Sequence, residues 1–254
     1  MKPSLLFFSG LFIFLLSGCG KTENASPKKD GQAGSITRFA IVDNYLYALD
    51  QNQILVYSLS EGAQPVLVSK VRTDYGLQTI IEYGGSLFVG SRDALYIVNI
   101  DNPTSPYVQG KHQREIVLGG CDPVVVKENR AYSTVKNIPN ACGRTAASSM
   151  LFVYDVSDKS KPVVIQQMPM NRPNGLGYSG QTLFVCDEGT DKVHLFEILA
   201  DGKLLERNMF IAITNPIDVI VKNNMLVVSH EKGFIFYDIS DIQNIRMLST
   251  IAKS

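Results

Sequence analysis

Past residue 19 the chain offers three thiols, Cys121, Cys142 and Cys186, and three imidazoles, His112, His194 and His230, for metal or nucleophilic chemistry. A structural zinc site needs soft or imidazole ligands in close pairs, two to four residues apart, with a second pair beyond. No such pair occurs and the histidines fall in three separate stretches, so no metal site is expected. "GYSG", residues 177–180, imitates part of a nucleophile elbow, but that motif is G-x-S-x-G at a strand-to-helix turn. Ser179 is followed by the strand-like stretch TLFVCDE and reads as a turn residue. No glycine cluster ending in Lys-Ser leads into a helix, so a phosphate cradle is absent from the pattern, and no cofactor is expected. Asp101, Asp155, Asp158, Asp238 and Asp241 recur after similar apolar runs. Calcium needs six to eight oxygens in one small space, whereas carboxylates spread along a repeat read as turn-forming caps.

These residues must be positioned by strands. There is no tryptophan, but Tyr, Phe, Val and Ile are abundant, which favours β-structure, and no stretch of eleven or more residues carries a convincing helical apolar period. Self-similarity decides the architecture. An apolar strand leading into a polar turn recurs as QILVYSLSEGAQPVLV, ALYIVNIDNPTSPYVQ, MLFVYDVSDKSKPVVI, VHLFEILADGKLLERN and GFIFYDISDIQNIRML, placing Tyr57, Val98, Tyr154, Phe196 and Tyr237 in one column. Their separations are 41, 56, 42 and 41 residues, so there are five units and the third is long. Upstream in each unit two short strands flank a tight turn, as at Asp43-Asn44 and Asn223-Asn224, where Asn and Asp tolerate the positive φ a hairpin needs. Each unit is thus a four-stranded antiparallel meander with two apolar faces, which must stack on copies of itself. Closing the stack gives an all-β, five-bladed β-propeller over residues 35–254; the alternative is an open β-solenoid or sandwich.

LYIVNIDNPTSP and LFVYDVSDKSKP resemble LVIVD repeats, an apolar run ending in aspartate or a similar residue, then a polar turn and proline. The resemblance spans the domain and is strongest in units two and three; Ser58 replaces the aspartate in unit one and FEILADGKL lacks the proline in unit four. GCDPVVV, a cysteine some twenty residues on, and MPMNRPNGLGYSGQTLFVCDEG are similar to a lipoprotein subfamily common in Bacteroidota. That resemblance implies a propeller and a surface lipoprotein, and little about chemistry.

In a propeller the first strand of each unit lines the central channel. Thr37, Gln78, Asp122 and Asn174 share a column at the start of that strand, with Ile217 in the fifth unit and Asp218 beside it. They are candidates for a ligand-binding channel rim, to which Arg172 and Asp187 add; a hydrated funnel is the competing reading.

The first residues place the protein. Lys2 precedes an uncharged run from Pro3 to Gly20, the layout of a secretory signal. Leu16, Ser17, Gly18 and Cys19 look like a bacterial lipobox, by which residues 1–18 are a signal peptide and Cys19 is the acylated first residue of the mature chain. Several acyl chains anchor stably where one binds marginally. Residues 19–34 are polar and cannot bury a core, so they form a tether with an end-to-end distance of roughly 20 Å. Gly20 after the cysteine favours the outer membrane. Without Lys2, 23 basic face 24 acidic residues, a balance that offers no broad footprint for nucleic acid. In an exported domain disulfides persist. Cys121 opens the inner strand of unit three and Cys142 lies in the insertion VKNIPNACGRTAASS that lengthens it. A bond between them closes a loop of about 22 residues and contributes on the order of 3 kcal/mol; two free thiols are the alternative. Cys186 is left over and reads as a buried apolar side chain.

Two functions fit. One is a non-enzymatic binding or scaffold module, presenting rigidly held loops to an envelope protein or an extracellular polysaccharide. The other is a propeller hydrolase or lyase at the channel mouth, which requires carboxylates to converge where the column supplies Asp122 and Asp218.

Overall fold

The computed structural model describes residues 34–60, 64–74, 76–114, 123–137 and 149–253. Cys19, Cys121, Asp122 and Cys142 lie outside these residues, and with them the lipid attachment and the expected disulfide. Twenty strands form five separate four-stranded sheets, each antiparallel and each built from four consecutive strands. Blade 1 holds β1 (Phe39–Val42), β2 (Tyr45–Asp50), β3 (Gln53–Ser58) and β4 (Val66–Arg72). Blade 2 holds β5 (Leu77–Tyr83), β6 (Ser86–Ser91), β7 (Ala94–Asn99) and β8 (Tyr107–Gln113). Blade 3 holds β9 (Val124–Lys127), β10 (Arg130–Val135), β11 (Ser149–Asp155) and β12 (Val163–Met170). Blade 4 holds β13 (Pro173–Ser179), β14 (Thr182–Asp187), β15 (Lys192–Ile198) and β16 (Leu204–Ala212). Blade 5 holds β17 (Pro216–Lys222), β18 (Met225–His230), β19 (Gly233–Asp238) and β20 (Arg246–Ala252). The protein is an all-β, five-bladed propeller, as its repeat predicts.

Three local devices repeat from blade to blade. The hairpin joining the first two strands begins on a left-handed residue every time: Asp43 (φ 52°), Gly84 (56°), Glu128 (54°), Gly180 (53°) and Asn223 (54°). Gly, Asn and Asp adopt this conformation readily; Glu128 does not, and its N–H is held by the Tyr83 hydroxyl of the preceding blade at 2.8 Å. A second device is a register shift between the third and fourth strands, at the column of Tyr57, Val98, Tyr154, Phe196 and Tyr237 in all five blades: Val56/Tyr57, Ile97/Val98, Val153/Tyr154, Leu195/Phe196 and Phe236/Tyr237. Such a bulge bends and twists the outer strand.

The third device explains the polar turn. Asp155 and Asp238 each accept the N–H two residues on, from Ser157 (2.9 Å) and Ser240 (3.0 Å). Asp158 and Asp241 then do the same for Ser160 (2.9 Å) and Gln243 (3.0 Å). Such side-chain turns stop the strand and satisfy its exposed backbone. In blade 2 this work falls to Asn99 and Asn102, and Asp101 instead accepts the Asn99 amide. The serine hydroxyls at 157 and 160 also donate to Asp155 and Asp158 and hold both carboxyls below the usual carboxylate range.

Apolar side chains alternate along the strands and meet at the junctions between blades. One buried cluster joins blades 1 and 2 through Val56, Ile80, Leu87 and Val98. Others join blades 2 and 3 through Phe88, Ile97, Val126 and Tyr154, and blades 3 and 4 through Tyr132, Val153, Leu176 and Phe196. Blades 4 and 5 meet through Phe184, Leu195, Val219 and Tyr237, and Cys186, a free thiol, is fully buried there, its ionisation pushed up by burial. Among the described residues no equivalent buried cluster joins blade 5 back to blade 1. Ring closure was expected to leave no free end; because every sheet is built from consecutive strands, no strand is shared across that last junction.

Candidate functional site

At one end of the ring, here called the mouth, the first strand of each blade begins where the second finishes, as the pairings Leu77↔Ser91, Pro173↔Asp187 and Pro216↔His230 require. The connections from β12 to β13 and from β16 to β17 lie at this end, and β10 finishes there. Thr37, Gln78, Asn174 and Asp218 all lie there, and the structure shows how each is used.

Asn174 sits at a three-blade crossing. Its side-chain amide donates to Pro216 O of blade 5 (3.1 Å) and to Glu188 Oε2 (2.8 Å), and its Oδ1 accepts from Lys136 Nζ of blade 3 (3.0 Å). Its backbone carbonyl accepts the Thr134 hydroxyl of β10. Lys136 also pairs with Glu188 at 2.8 Å, and Arg172 reaches the same carboxylate from the exposed side. Burial raises the Glu188 carboxyl, but the hydrogen bonds from Lys136 and Asn174 and the charges of Lys136 and Arg172 outweigh it and leave it below its ordinary range. Two cations thus converge on one carboxylate. Lys136 and Glu188 are half-buried while Arg172 is largely exposed, so the excess positive charge is presented outward. Asp187 is the organiser: buried, it accepts the N–H groups of Asn171 (3.1 Å), Arg172 (2.9 Å) and Gly189 (3.0 Å), fixing the chain on which Arg172 stands.

Asp218 takes a different role. Its Oδ1 accepts the Ser35 hydroxyl (2.8 Å) and the Val219 N–H (2.9 Å), and Ser35 Oγ accepts the Leu176 N–H (2.8 Å). The residues before β1 therefore reach the inner strands of blades 4 and 5 and cover the carboxyl. Close approach is possible only because position 175 is glycine; any Cβ there would overlap the Asp218 carboxyl. Burial drives the Asp218 pKa up to about 6, against the pull of its hydrogen-bond donors. Thr37, two residues after Ser35, is bonded to the opposite side: its hydroxyl donates to Ile80 O (3.0 Å) and its carbonyl accepts Ile80 N (2.9 Å). Gln78 is half-buried on β5, with Oε1 accepting no hydrogen bond among the described residues. Asn174 and Asp218 are thus brought to neighbouring strands, while Thr37 and Gln78 stand on the blade 1–2 side.

Several participants carry no sequence signal of their own. Lys136 and Glu188 follow ordinary strands, and Ser35 reads only as the first residue after a polar tether. Arg114 is buried between blades 2 and 3, donating to Tyr154 Oη (3.1 Å) and Ser91 O (2.9 Å) above the Phe152 ring. A cleft of about 320 Å³ beside the mouth is lined by Met168, Met170, Asn171, His194 and Glu206. His194 meets the Thr190 hydroxyl there at 3.0 Å, and burial lowers its pKa. Among the described residues no group of three or more His, Cys, Asp or Glu side chains could hold a metal ion.

Fold and mouth together define a β-propeller with a polar, blade-bridging centre. Residues 31–73 and 78–113 match the LVIVD repeat, so the chain carries LVIVD repeats in what are here blades 1 and 2. Solved structures agree on the fold. A functionally unknown protein from Desulfotomaculum acetoxidans is 15% identical, with a TM-score of 0.66 over 83% of this chain and 67% of its own. A Lactobacillus plantarum protein is 12% identical (TM-score 0.64; 85% and 71% covered), and the Neurospora crassa Pan2 WD40 domain 10% (0.60; 86% and 66%). At such identities the likeness extends to the fold alone. No curated protein matches the chain.

Proposed function

We propose that this protein is a lipid-anchored propeller of the bacterial cell envelope that acts as a non-enzymatic binding or scaffold module for a protein or an extracellular polymer. The observation that carries the reading is the fate of Asp218. A hydrolase or lyase at the mouth needs two carboxyls facing a substrate, and the Asp218 carboxyl is buried and engaged by Ser35 and Val219. Arg172, a cation, faces outward on a chain whose N–H groups Asp187 holds. That arrangement suits recognition of an anionic group on a partner. Anchoring through a diacylglycerol on Cys19 and retention at the outer membrane rest on the lipobox resemblance.

The test is crosslinking in the native envelope followed by identification of what is caught, repeated with Arg172→Glu and with Asp122→Asn. Capture that falls at least tenfold with Arg172→Glu supports the reading. A turnover found by substrate screening and abolished by Asp122→Asn, with capture unchanged in both variants, would sink it. Cys19→Ala should release the protein from the membrane fraction if the anchor is as proposed.

A further inference from the structure

At the junctions of consecutive blades three columns of the repeat meet: two positions at the close of the last strand of one blade, and one on the third strand of the next, a residue before the bulge. Between blades 1 and 2 they hold Val71, Thr73 and Tyr96, and Val71 and Tyr96 are buried in one cluster. Between blades 2 and 3 they hold His112, Arg114 and Phe152, with the Arg114 guanidinium 5.4 Å over the Phe152 ring. Between blades 4 and 5 they hold Ile211, Ile213 and Ile235, packed in one cluster. Between blades 3 and 4 the same columns hold Met168, Met170 and His194, all half-buried, and the three line the cleft of about 320 Å³. His194 faces blade 3, because Val185 opposite it and Phe196 two residues on both belong to the cluster that joins blades 3 and 4. Counting thiols and imidazoles misses this group, since two of its three donors are thioethers.

We propose that this cleft binds copper(I), with Met168 Sδ, Met170 Sδ and His194 Nδ1 as its three ligands. Softness selects the ion: thioether sulfur favours copper(I), imidazole suits copper as well, and magnesium or calcium would ask for oxygens. Zinc wants thiolates or several imidazoles, and the cleft offers a single imidazole. The hydrogen bonds around His194 prepare it. A threonine hydroxyl has one proton to donate; that of Thr190 goes to Asp187 O (3.3 Å), so toward His194 Nε2, 3.0 Å away, the same oxygen accepts. Nε2 therefore carries the ring proton, and Nδ1 keeps the lone pair a metal takes, as a partner on one ring nitrogen dictates for the other. Charge is met too. Three neutral ligands leave the ion with one positive charge, and Glu206, on β16 opposite Phe196, brings a carboxylate to the same cleft. Asp187 does not compete for the ion, because its carboxyl is taken by the N–H groups of Asn171, Arg172 and Gly189.

The experiment uses the full chain in mild detergent, with accessible thiols alkylated beforehand so that they cannot take the metal, and with ¹³C-labelled methionine methyl groups. Copper(I) is titrated anaerobically against a chromogenic chelator, and silver(I) serves as its redox-inert analogue for nuclear magnetic resonance. The proposal expects one copper(I) per chain and shifts of the Met168 and Met170 methyl signals at one equivalent of silver(I). Met168→Leu, Met170→Leu and His194→Phe should each weaken copper(I) binding at least tenfold, while Met209→Leu, at the next junction, should bind as wild type does. Leucine replaces methionine at nearly constant volume, and phenylalanine is what blade 3 carries in the histidine column, as Phe152. The wild-type methyl shifts decide the matter even where a variant fails to fold. Methyl signals of Met168 and Met170 that stay in place, copper(I) held equally well by the three variants, or zinc(II) bound in preference to copper(I) would each overturn the proposal.

Discussion

Asp218 makes the acid side of the stability curve diagnostic. Its pKa lies near 6 in the folded protein against an ordinary 3.8, so folding favours the protonated form. The contribution is present in full below about 3.8 and is lost as pH rises through 6. One pKa unit corresponds to about 1.36 kcal/mol, so a shift of this size amounts to about 3 kcal/mol between strongly acid and neutral pH. Linkage places about 1.3 kcal/mol of it between pH 7 and pH 5. Other groups move the opposite way: His194 is lowered by burial, so its contribution is present above its ordinary value and is lost as pH falls. Asp74 and Asp238, lowered by hydrogen bonds and neighbouring charge, lose theirs only in more acid solution. The clean measurement is therefore the difference between wild type and Asp218→Asn. The amide keeps an oxygen acceptor for Ser35 and Val219, removes the proton, and adds an offset that does not depend on pH. Urea unfolding of the full chain from pH 4.5 to 8, followed by circular dichroism and tyrosine emission because there is no tryptophan, should show wild type gaining about 1.3 kcal/mol on the variant from pH 7 to pH 5. A difference that is flat across this range, or that grows with pH, refutes the claim that Ser35 seals a buried carboxyl at the mouth.

Ser35→Ala should cost about 2 kcal/mol by urea unfolding, because it leaves both the Leu176 N–H and the Asp218 carboxyl short of a partner; the Asp218 midpoint should rise in the same series. Gly175→Ala should cost at least about 3 kcal/mol, since its Cβ meets both the carboxyl and the Cα of Asp218, and a melting temperature unchanged to within a degree would contradict the close approach. Intact mass without reductant should show one intramolecular disulfide joining Cys121 and Cys142; thiol labelling of both without reductant would show them free. Cys186 should resist a maleimide in the native chain and react on unfolding, as a fully buried thiol must.

The blades were legible in the sequence because their signals are local and recur: an apolar run of period two, a turn residue able to take positive φ, an aspartate that caps the chain two residues on. Tyr57, Val98, Tyr154, Phe196 and Tyr237 fell into one column, and the same column turned out to carry the bulge in every blade. Asp101 shows the limit of reading by residue type, since its blade caps with Asn99 and Asn102 and the aspartate sits one step off the column. The mouth was legible only as a list of polar positions. Asn174 and Asp218 share the start of an inner strand, but one bridges blades through Lys136 and Glu188 while the other is buried under a serine 183 residues away. No local pattern encodes contacts of that separation. The first blade exposes the deeper reason. Phe39 is as apolar as its counterparts Ile80, Val124, Leu176 and Val219, so by pattern alone it belongs to a core. Whether an apolar face is covered depends on what stands opposite it, which for blade 1 is set by how the fifth blade meets the first. A repeat with five equivalent units specifies five equivalent faces in each direction but fills only four junctions from consecutive strands. At the axis the start of the chain spans the fifth, since Ser35 bonds Asp218 of blade 5 while Thr37 bonds Ile80 of blade 2, a tie that no repeat encodes because it lies outside the repeated units.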